Sequence, residues 1–349
     1  MSHTPLYFDR NENPYGPAPA CFEVLRNAGI DQMSNYSRDF ARGVKSTLSE
    51  RLAGDYGIPE ASILLGYGGE DILKQTVHCY LPAGGRILIP SHSWWYYKTI
   101  ADEVRGIKVE YPIVEGEDSY YYDIDTMLRQ YEEHHPQLVL ISSPNNPTGN
   151  SLGHEDLLRV LDTMRDTVVV LDEAYWSHDG SDAGRLRMLY ETYPNLVIVR
   201  TFSKYFALAG VRIGYAIVGA GLEQLGRFSA RYLGYHRLSE LVALAALDSP
   251  EYYANVARAM AEDKQLYRDT LGALPGFKVF TSHANFILVR IPSDIKSALK
   301  SFLDARALIP KFMNEEALNS HLRITIGTKE QNRLLIDAIT EFMSSRVDA

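Results

Sequence analysis

Thr201-Phe202-Ser203-Lys204-Tyr205-Phe206-Ala207-Leu208-Ala209-Gly210-Val211-Arg212-Ile213-Gly214 follows the apolar run Leu196-Val197-Ile198-Val199. That run has the β-branched composition of a buried strand, so Lys204 stands just beyond a strand's carboxyl end. An amine placed there can form a Schiff base with a carbonyl compound. The Ser203 hydroxyl and the planar Arg212 guanidinium both suit a phosphate. Together the three groups suit a phosphorylated aldehyde.

The surrounding pattern sets the fold class. Between about residues 40 and 220, short apolar runs alternate with stretches of helical periodicity, which predicts an α/β fold with a mostly parallel central sheet flanked by helices. The strands are read at Ile63–Leu65, Arg86–Ile89, Lys108–Glu110, Leu138–Ile141, Val168–Leu171 and Leu196–Val199, each bounded by Gly, Pro, Asn or Asp. Several are apolar on both faces, as parallel strands covered by helices should be, and ligand-binding residues then belong in the loops at their carboxyl ends. After Asp248-Ser249-Pro250 a long helix is expected to about Leu274. Strands at Lys278–Phe280, Asn285–Val289 and His321–Ile326 and a closing helix from Lys329 follow. The expected division is a large domain at 36–249 and a smaller α+β domain made of 1–35 and 250–349, with a cleft between them.

Composition narrows the chemistry. A chain of 349 residues with 46% hydrophobic and 23% charged residues can bury a substantial core, and a net charge of -9 argues against general binding to nucleic acid or acidic membranes. Two cysteines, Cys21 and Cys79, do not make a disulfide framework, and without a Cys-x-x-Cys pair no metal site is expected. Met1-Ser2-His3-Thr4-Pro5 lacks the basic flank and apolar stretch of a targeting signal, and no run reaches membrane-spanning length, so a cytoplasmic setting is expected. Tyrosines are numerous, and the clusters Trp94-Trp95-Tyr96-Tyr97 and Tyr120-Tyr121-Tyr122 suit either an aromatic pocket or a subunit interface.

Further candidates lie at the other strand ends. Asp172 closes the run Val168–Leu171, next to the strand that leads to Lys204. A buried aspartate there, facing the pyridine nitrogen of pyridoxal 5'-phosphate, would hold that nitrogen protonated and make the ring an electron sink. Tyr175 and Asn146, the latter within Ser143-Pro144-Asn145-Asn146-Pro147-Thr148-Gly149, can hydrogen-bond the cofactor's phenolic oxygen. Gly66-Tyr67-Gly68-Gly69-Glu70-Asp71 opens a helix and offers backbone N–H groups to a phosphate. A dinucleotide fingerprint needs a glycine where Asp71 stands, which weakens a nicotinamide reading.

These motifs, with Asn11-Glu12-Asn13-Pro14-Tyr15-Gly16 and Leu322-Arg323-Ile324-Thr325-Ile326-Gly327-Thr328, resemble the histidinol-phosphate aminotransferase-like family of fold-type I, class I/II pyridoxal-phosphate enzymes. The match spans nearly the whole chain. The resemblance implies a catalytic set of Lys204, Asp172 and Tyr175, with Lys204 as Schiff-base residue and proton carrier. It assigns Gly68, Gly69, Glu70, Ser203 and Arg212 to the cofactor phosphate and Asn146 and Tyr175 to the phenolic oxygen. It also brings Tyr36 to the phosphate in the other subunit of a homodimer. Arg323 would take the substrate's α-carboxylate, with Asn146, Tyr15 and Lys311 beside it. The implied reaction moves an amino group from a donor such as glutamate to a 2-oxo acid or related carbonyl, by a ping-pong cycle through the Lys204 Schiff base and pyridoxamine phosphate.

The chain departs from the family pattern in places. Pro90-Ser91-His92 replaces a Pro-Thr-Tyr motif, so His92, or Trp94 if the loop shifts, is the expected stacking group on the cofactor ring. The arm before Asn11 is shorter, Lys311 aligns with a phosphate-binding arginine, and Tyr232-Leu233-Gly234-Tyr235-His236-Arg237 replaces a proline-rich loop. These changes fall where the distal end of the substrate would lie, so the resemblance speaks to the reaction more closely than to the substrate. Two alternatives stand beside transamination. One is decarboxylation or amino-acid oxidation on the same cofactor, since the bond held perpendicular to the ring is the one broken. The other is a non-catalytic ligand sensor, for which the sequence offers neither a basic patch nor a DNA-binding domain.

Overall fold

The computed structural model describes residues 4–177 and 182–347, so Met1–His3, read above for a targeting signal, lie outside the described residues. Fourteen strands are present among them: β1 (Leu6–Phe8), β2 (Ile63–Gly66), β3 (Arg86–Pro90), β4 (Ile107–Tyr111), β5 (Ile113–Glu115), β6 (Tyr120–Tyr122), β7 (Leu138–Ser142), β8 (Val168–Asp172), β9 (Leu196–Thr201), β10 (Gly214–Val218), β11 (Lys278–Val279), β12 (Phe286–Arg290), β13 (Leu308–Phe312) and β14 (His321–Thr325). The large sheet runs β2-β10-β9-β8-β7-β3-β4. Its pairings are parallel except at β10, which is antiparallel to both β2 and β9.

Alternation along the strands explains why this sheet is buried on both faces. Leu65, Leu88, Val139, Leu171 and Ile198 pack into one apolar layer, and their chain neighbours Leu64, Ile87, Leu140, Val170 and Val199 pack into another on the opposite face. Leu138, Val139, Leu140 and Ile141 are each fully buried, and each contributes about 1.5–3 kcal/mol relative to exposure. The six runs expected from sequence form strands here, as do those read around Val279, Ile287 and Ile324.

The seventh strand, β10, is not among the runs read above, and it shapes the site. Gly214 pairs with Thr201 on one side and with Gly66 on the other. The loop from Phe202 to Ile213 therefore leaves and re-enters the sheet at one edge, beside the turn that follows β2. Gly214 permits this closeness: a Cβ there would lie 2.8 Å from the Gly68 carbonyl carbon and 2.9 Å from both the Gly69 nitrogen and the Arg200 oxygen.

A second sheet runs β1-β13-β14-β12-β11 and packs Ile287, Leu322 and Ile324 against Tyr267, Leu299 and Leu335 from three helices. Segment 4–35 is shared between the two bodies. Leu6–Phe8 joins this sheet alongside β13, whereas Ala18 and Cys21 pack with Leu48 and Val242 of the large core. In the tyrosine cluster of β6, Tyr120 and Tyr122 point inward and Tyr121 outward, as a strand's alternation requires.

Candidate active site

The carboxyl ends of β7, β8 and β9 open onto a cleft of about 430 Å3 between the two sheets. Lys204 projects into it, its Nζ 5.6 Å from the centre of the Tyr175 ring. Behind it Ser203 is buried, and the Thr201 hydroxyl both donates to Ser203 Oγ at 2.9 Å and accepts from the Ser203 N–H at 3.1 Å. Arg212 adopts a left-handed backbone (φ 53), a conformation that costs a non-glycine residue about 1–3 kcal/mol and recurs at functional sites. Its guanidinium donates to the carbonyls of Ala209 and Tyr67 and lies 3.6 Å from Glu70.

The turn that meets Arg212 is equally specific. Gly68 caps the helix Gly69–Tyr80 with φ 84, and a Cβ on it would stand 2.7 Å from Arg212 Nη2. The first N–H groups of that helix lack intrahelical partners by geometry and lie beside the Ser203–Arg212 loop, an arrangement that could hold an anion.

Asp172 forms the floor. Its Oδ2 accepts from the Tyr97 hydroxyl at 2.6 Å and its Oδ1 from the Ala174 N–H at 2.9 Å. Burial nevertheless pushes the carboxyl up to about 6. Tyr97 is itself fully buried and held well above the usual phenol range, so it remains a donor.

Opposite stands Arg323 on β14. Its Nη1 donates to Asn146 Oδ1 and its Nη2 to the Asp9 carbonyl, both at 2.6 Å. Its Nε is buried without a partner among the described residues. Asn11, also left-handed (φ 53), donates through Nδ2 to the Tyr175 hydroxyl at 2.9 Å and binds Thr325 through its backbone N–H. The amino-terminal motif thus ties the small sheet to the large one across the cleft.

The other residues singled out from sequence are distributed unevenly. Lys311 lines the cleft, near Met313 and Glu315. His92 does not: its ring sits edge-on to Tyr120, with centroids 6.2 Å apart, while Ser93, Trp94 and Trp95 of the same loop reach the cleft. Tyr15 packs against the small-sheet core, where its carbonyl accepts from Tyr252. Tyr36 is 66% exposed and lies outside the cleft of its own chain. Sequence reasoning passed over Tyr97, Trp95 and Asn11 as individual groups, although the aromatic run 94–97 and the motif at 11–16 contained them. No group of His, Cys, Asp and Glu among the described residues is arranged to hold a metal, and no helix among them is long and apolar enough to cross a membrane.

The model of the family "Aminotransferase class I and II" matches residues 5–339. The chain belongs to the class I and II aminotransferases. A histidinol-phosphate aminotransferase from Ruminiclostridium cellulolyticum is 30% identical over 96% of this chain and 91% of its own length. One from Archaeoglobus fulgidus is 33% identical over 95% and 91%. In fold, the chain resembles the histidinol-phosphate aminotransferase of Sinorhizobium meliloti in complex with pyridoxal 5'-phosphate, with TM-score 0.84, 24% identity and coverage of 97% and 90%. It also resembles that of Clostridium acetobutylicum, with TM-score 0.86, 21% identity and coverage of 97% and 99%.

This aminotransferase therefore moves amino groups between amino acids and 2-oxo acids with pyridoxal 5'-phosphate. The cleft fits that group. A Cβ on Gly68 would crowd Arg212 at the turn suited to a phosphate, the buried Ser93 Oγ and Arg323 Nε have no partner among the described residues, and the buried Asp172 carboxylate lies in the same cleft.

Proposed function

We propose that the enzyme transaminates an α-amino acid whose α-carboxylate binds Arg323, with Lys204 carrying the proton and each site completed by a second copy of the chain. The convergence of Lys204, Asp172 and Arg323 on one cleft carries this reading. When bound, the cofactor supplies an electron sink for the charge left at the substrate's α-carbon. Asp172 opposes the positive charge of the ring nitrogen, and Asn146 and Tyr175 orient the phenolic oxygen. The Gly68–Glu70 turn, Ser203 and Arg212 hold the phosphate. The Lys204 amine, once uncharged, takes the α-proton and returns it across a short distance. Arg323 presents a planar fork whose free Nε leaves a donor for the carboxylate. Trp94 and Trp95, rather than His92, supply the aromatic surface above the ring, and Lys311 faces the substrate's distal end.

The exposed Tyr36 supports a homodimer in which this residue reaches the partner's phosphate. The division into a large domain and a smaller one, with strand β1 in the latter, fits a cleft that closes on substrate. Few cysteines and an acidic composition support a cytoplasmic enzyme without a nucleic-acid partner.

Purified protein is expected to show Schiff-base absorbance that Lys204→Ala abolishes. A panel of amino donors, including glutamate and histidinol phosphate, should convert that band stoichiometrically to the amine form of the cofactor. Carbon dioxide release, or peroxide with free ammonia, in place of stoichiometric conversion to the amine form would exclude transamination.

A further inference from the structure

Beneath the cofactor floor lies a buried ion network that the proposed roles do not use. Glu173, the residue after Asp172, is 1% exposed. Its Oε2 accepts from Arg200 Nε at 2.8 Å and Arg200 Nη2 at 2.7 Å, and its Oε1 accepts from Arg185 Nη2 at 2.6 Å. Arg200 is fully buried and also pairs with Asp182. Two guanidinium groups thus balance two carboxylates.

The network's place in the sheet gives it meaning. Arg200 is on β9 next to Thr201, and alternation turns its side chain away from the cleft that Thr201 lines. Glu173 closes the β8–β9 ladder through its N–H to the Val199 carbonyl at 2.9 Å. The Arg200–Glu173 pair therefore clamps the segment bearing Asp172 and Tyr175 to the segment bearing Ser203 and Lys204, where both leave the sheet.

We propose that Arg200 is a positioning residue for the cofactor site, fixing and neutralising Glu173 so that the adjacent Asp172 keeps its negative charge. The proposal rests on the assignment of Asp172 to the ring nitrogen. Asp172 is faced by Tyr97, the Ala174 N–H, Glu173 and Lys204, and Tyr97 in turn by Ser142 and Tyr175. Arg200 is faced by Glu173, Asp182, Tyr56 and Tyr215, and Glu173 by Arg185 as well. Of the carboxylates, Glu173 raises Asp172 by repulsion. With Arg200 gone, Glu173 keeps Arg185 as its one cationic partner among the described residues, and the burden on Asp172 grows.

Breaking a buried pair lowers stability whatever its function, so melting temperature alone does not decide. The discriminating readouts are the cofactor Kd and the pH titration of the Lys204 Schiff-base band in the holoenzyme. Losing the charge on Asp172 strips the ring nitrogen of its proton, and the nearby Schiff-base nitrogen then keeps its own to higher pH. Arg200→Gln is expected to raise the Kd roughly tenfold and to move the titration upward, in the direction of Asp172→Asn. Glu173→Gln, which leaves the positive Arg200 near Asp172, moves the titration the other way or leaves it in place. The double variant returns toward wild type.

An Arg200→Gln protein that melts earlier with unchanged Kd and titration overturns the proposal. So does a double variant as impaired as Arg200→Gln. If Arg200→Gln does not fold, an upward shift in Glu173→Gln overturns it. Should Asp172→Asn leave the titration unmoved, the ring-nitrogen assignment itself fails, and the two failures are told apart.

Discussion

Asp172 shows how a single residue is held against its own preference. Its ordinary value is 3.8 and burial raises it to about 6 in the folded chain, so the native state binds the proton more tightly than the unfolded state. Stability of the cofactor-free protein therefore falls as pH rises from about 4 through about 6, by up to about 3 kcal/mol. At pH 8 the ionised carboxylate is a liability that Tyr97, the Ala174 N–H and Lys204 offset only in part. Asp172→Asn is expected to stabilise the cofactor-free protein by about 1–3 kcal/mol at pH 8 and by little at pH 4. Thermal unfolding at the two pH values checks this, and greater stabilisation at pH 4 would contradict it. The same variant should bind the cofactor less tightly. That aspartate was legible in sequence as the last residue of an apolar run. Its partner Tyr97 was not, because a tyrosine in a helix carries no local sign that its hydroxyl ends beneath a neighbouring strand.

Among the elements, β10 does most to assemble the proposed phosphate site. Running antiparallel, it brings Gly214 against the Gly68–Gly69 turn, so that one loop carries Ser203 and Arg212 back to that turn. Gly214→Ala should push that turn away, since every near neighbour of the added carbon is backbone. The expected result is a melting temperature lowered by several degrees and a cofactor Kd raised by about tenfold or more, measured by calorimetry and by fluorescence titration. A wild-type Kd would show that the turn does not hold the phosphate. The parallel strands were readable because burial on both faces makes them continuously apolar. β10 is just as buried, but its run Gly214-Tyr215-Ala216-Ile217-Val218 opens on a glycine and has β-branched residues only at its end, and its antiparallel direction is not written in such a pattern. The loop after β3 teaches the same lesson: His92 occupied the expected position, yet the chain turns Trp94 and Trp95 toward the cleft.

At the scale of the whole molecule, apolar surface remains uncovered. Ile30 is 80% exposed, Met33 78%, Tyr36 66% and Tyr232 70%, and Arg38 lies over the rings of both Phe40 and Tyr232. A monomer seldom leaves so many large apolar groups in water, and their nearness to Tyr36 supports the second copy as occupant. Sedimentation should give twice the mass of the chain for the wild type. Met33→Asp is expected to shift the population to single chains and to lose cofactor on dilution, whereas Tyr36→Phe should remain dimeric with weakened cofactor binding. A wild-type protein sedimenting as one chain would remove Tyr36 from the site.

By itself, the sequence determined the class of chemistry and the layered sheet, since a lysine and an aspartate at strand ends, glycine-rich turns and two-faced apolar strands are all local signals. Only the tertiary structure decided which side chains meet. Arg323 reaches Asn146 across 177 residues and Asn11 reaches Tyr175 across 164, and the Glu173–Arg200 clamp spans two strands whose register no short window contains. Such contacts are set by how two sheets pack around a cleft, because pairing buried polar groups is a condition on the whole fold.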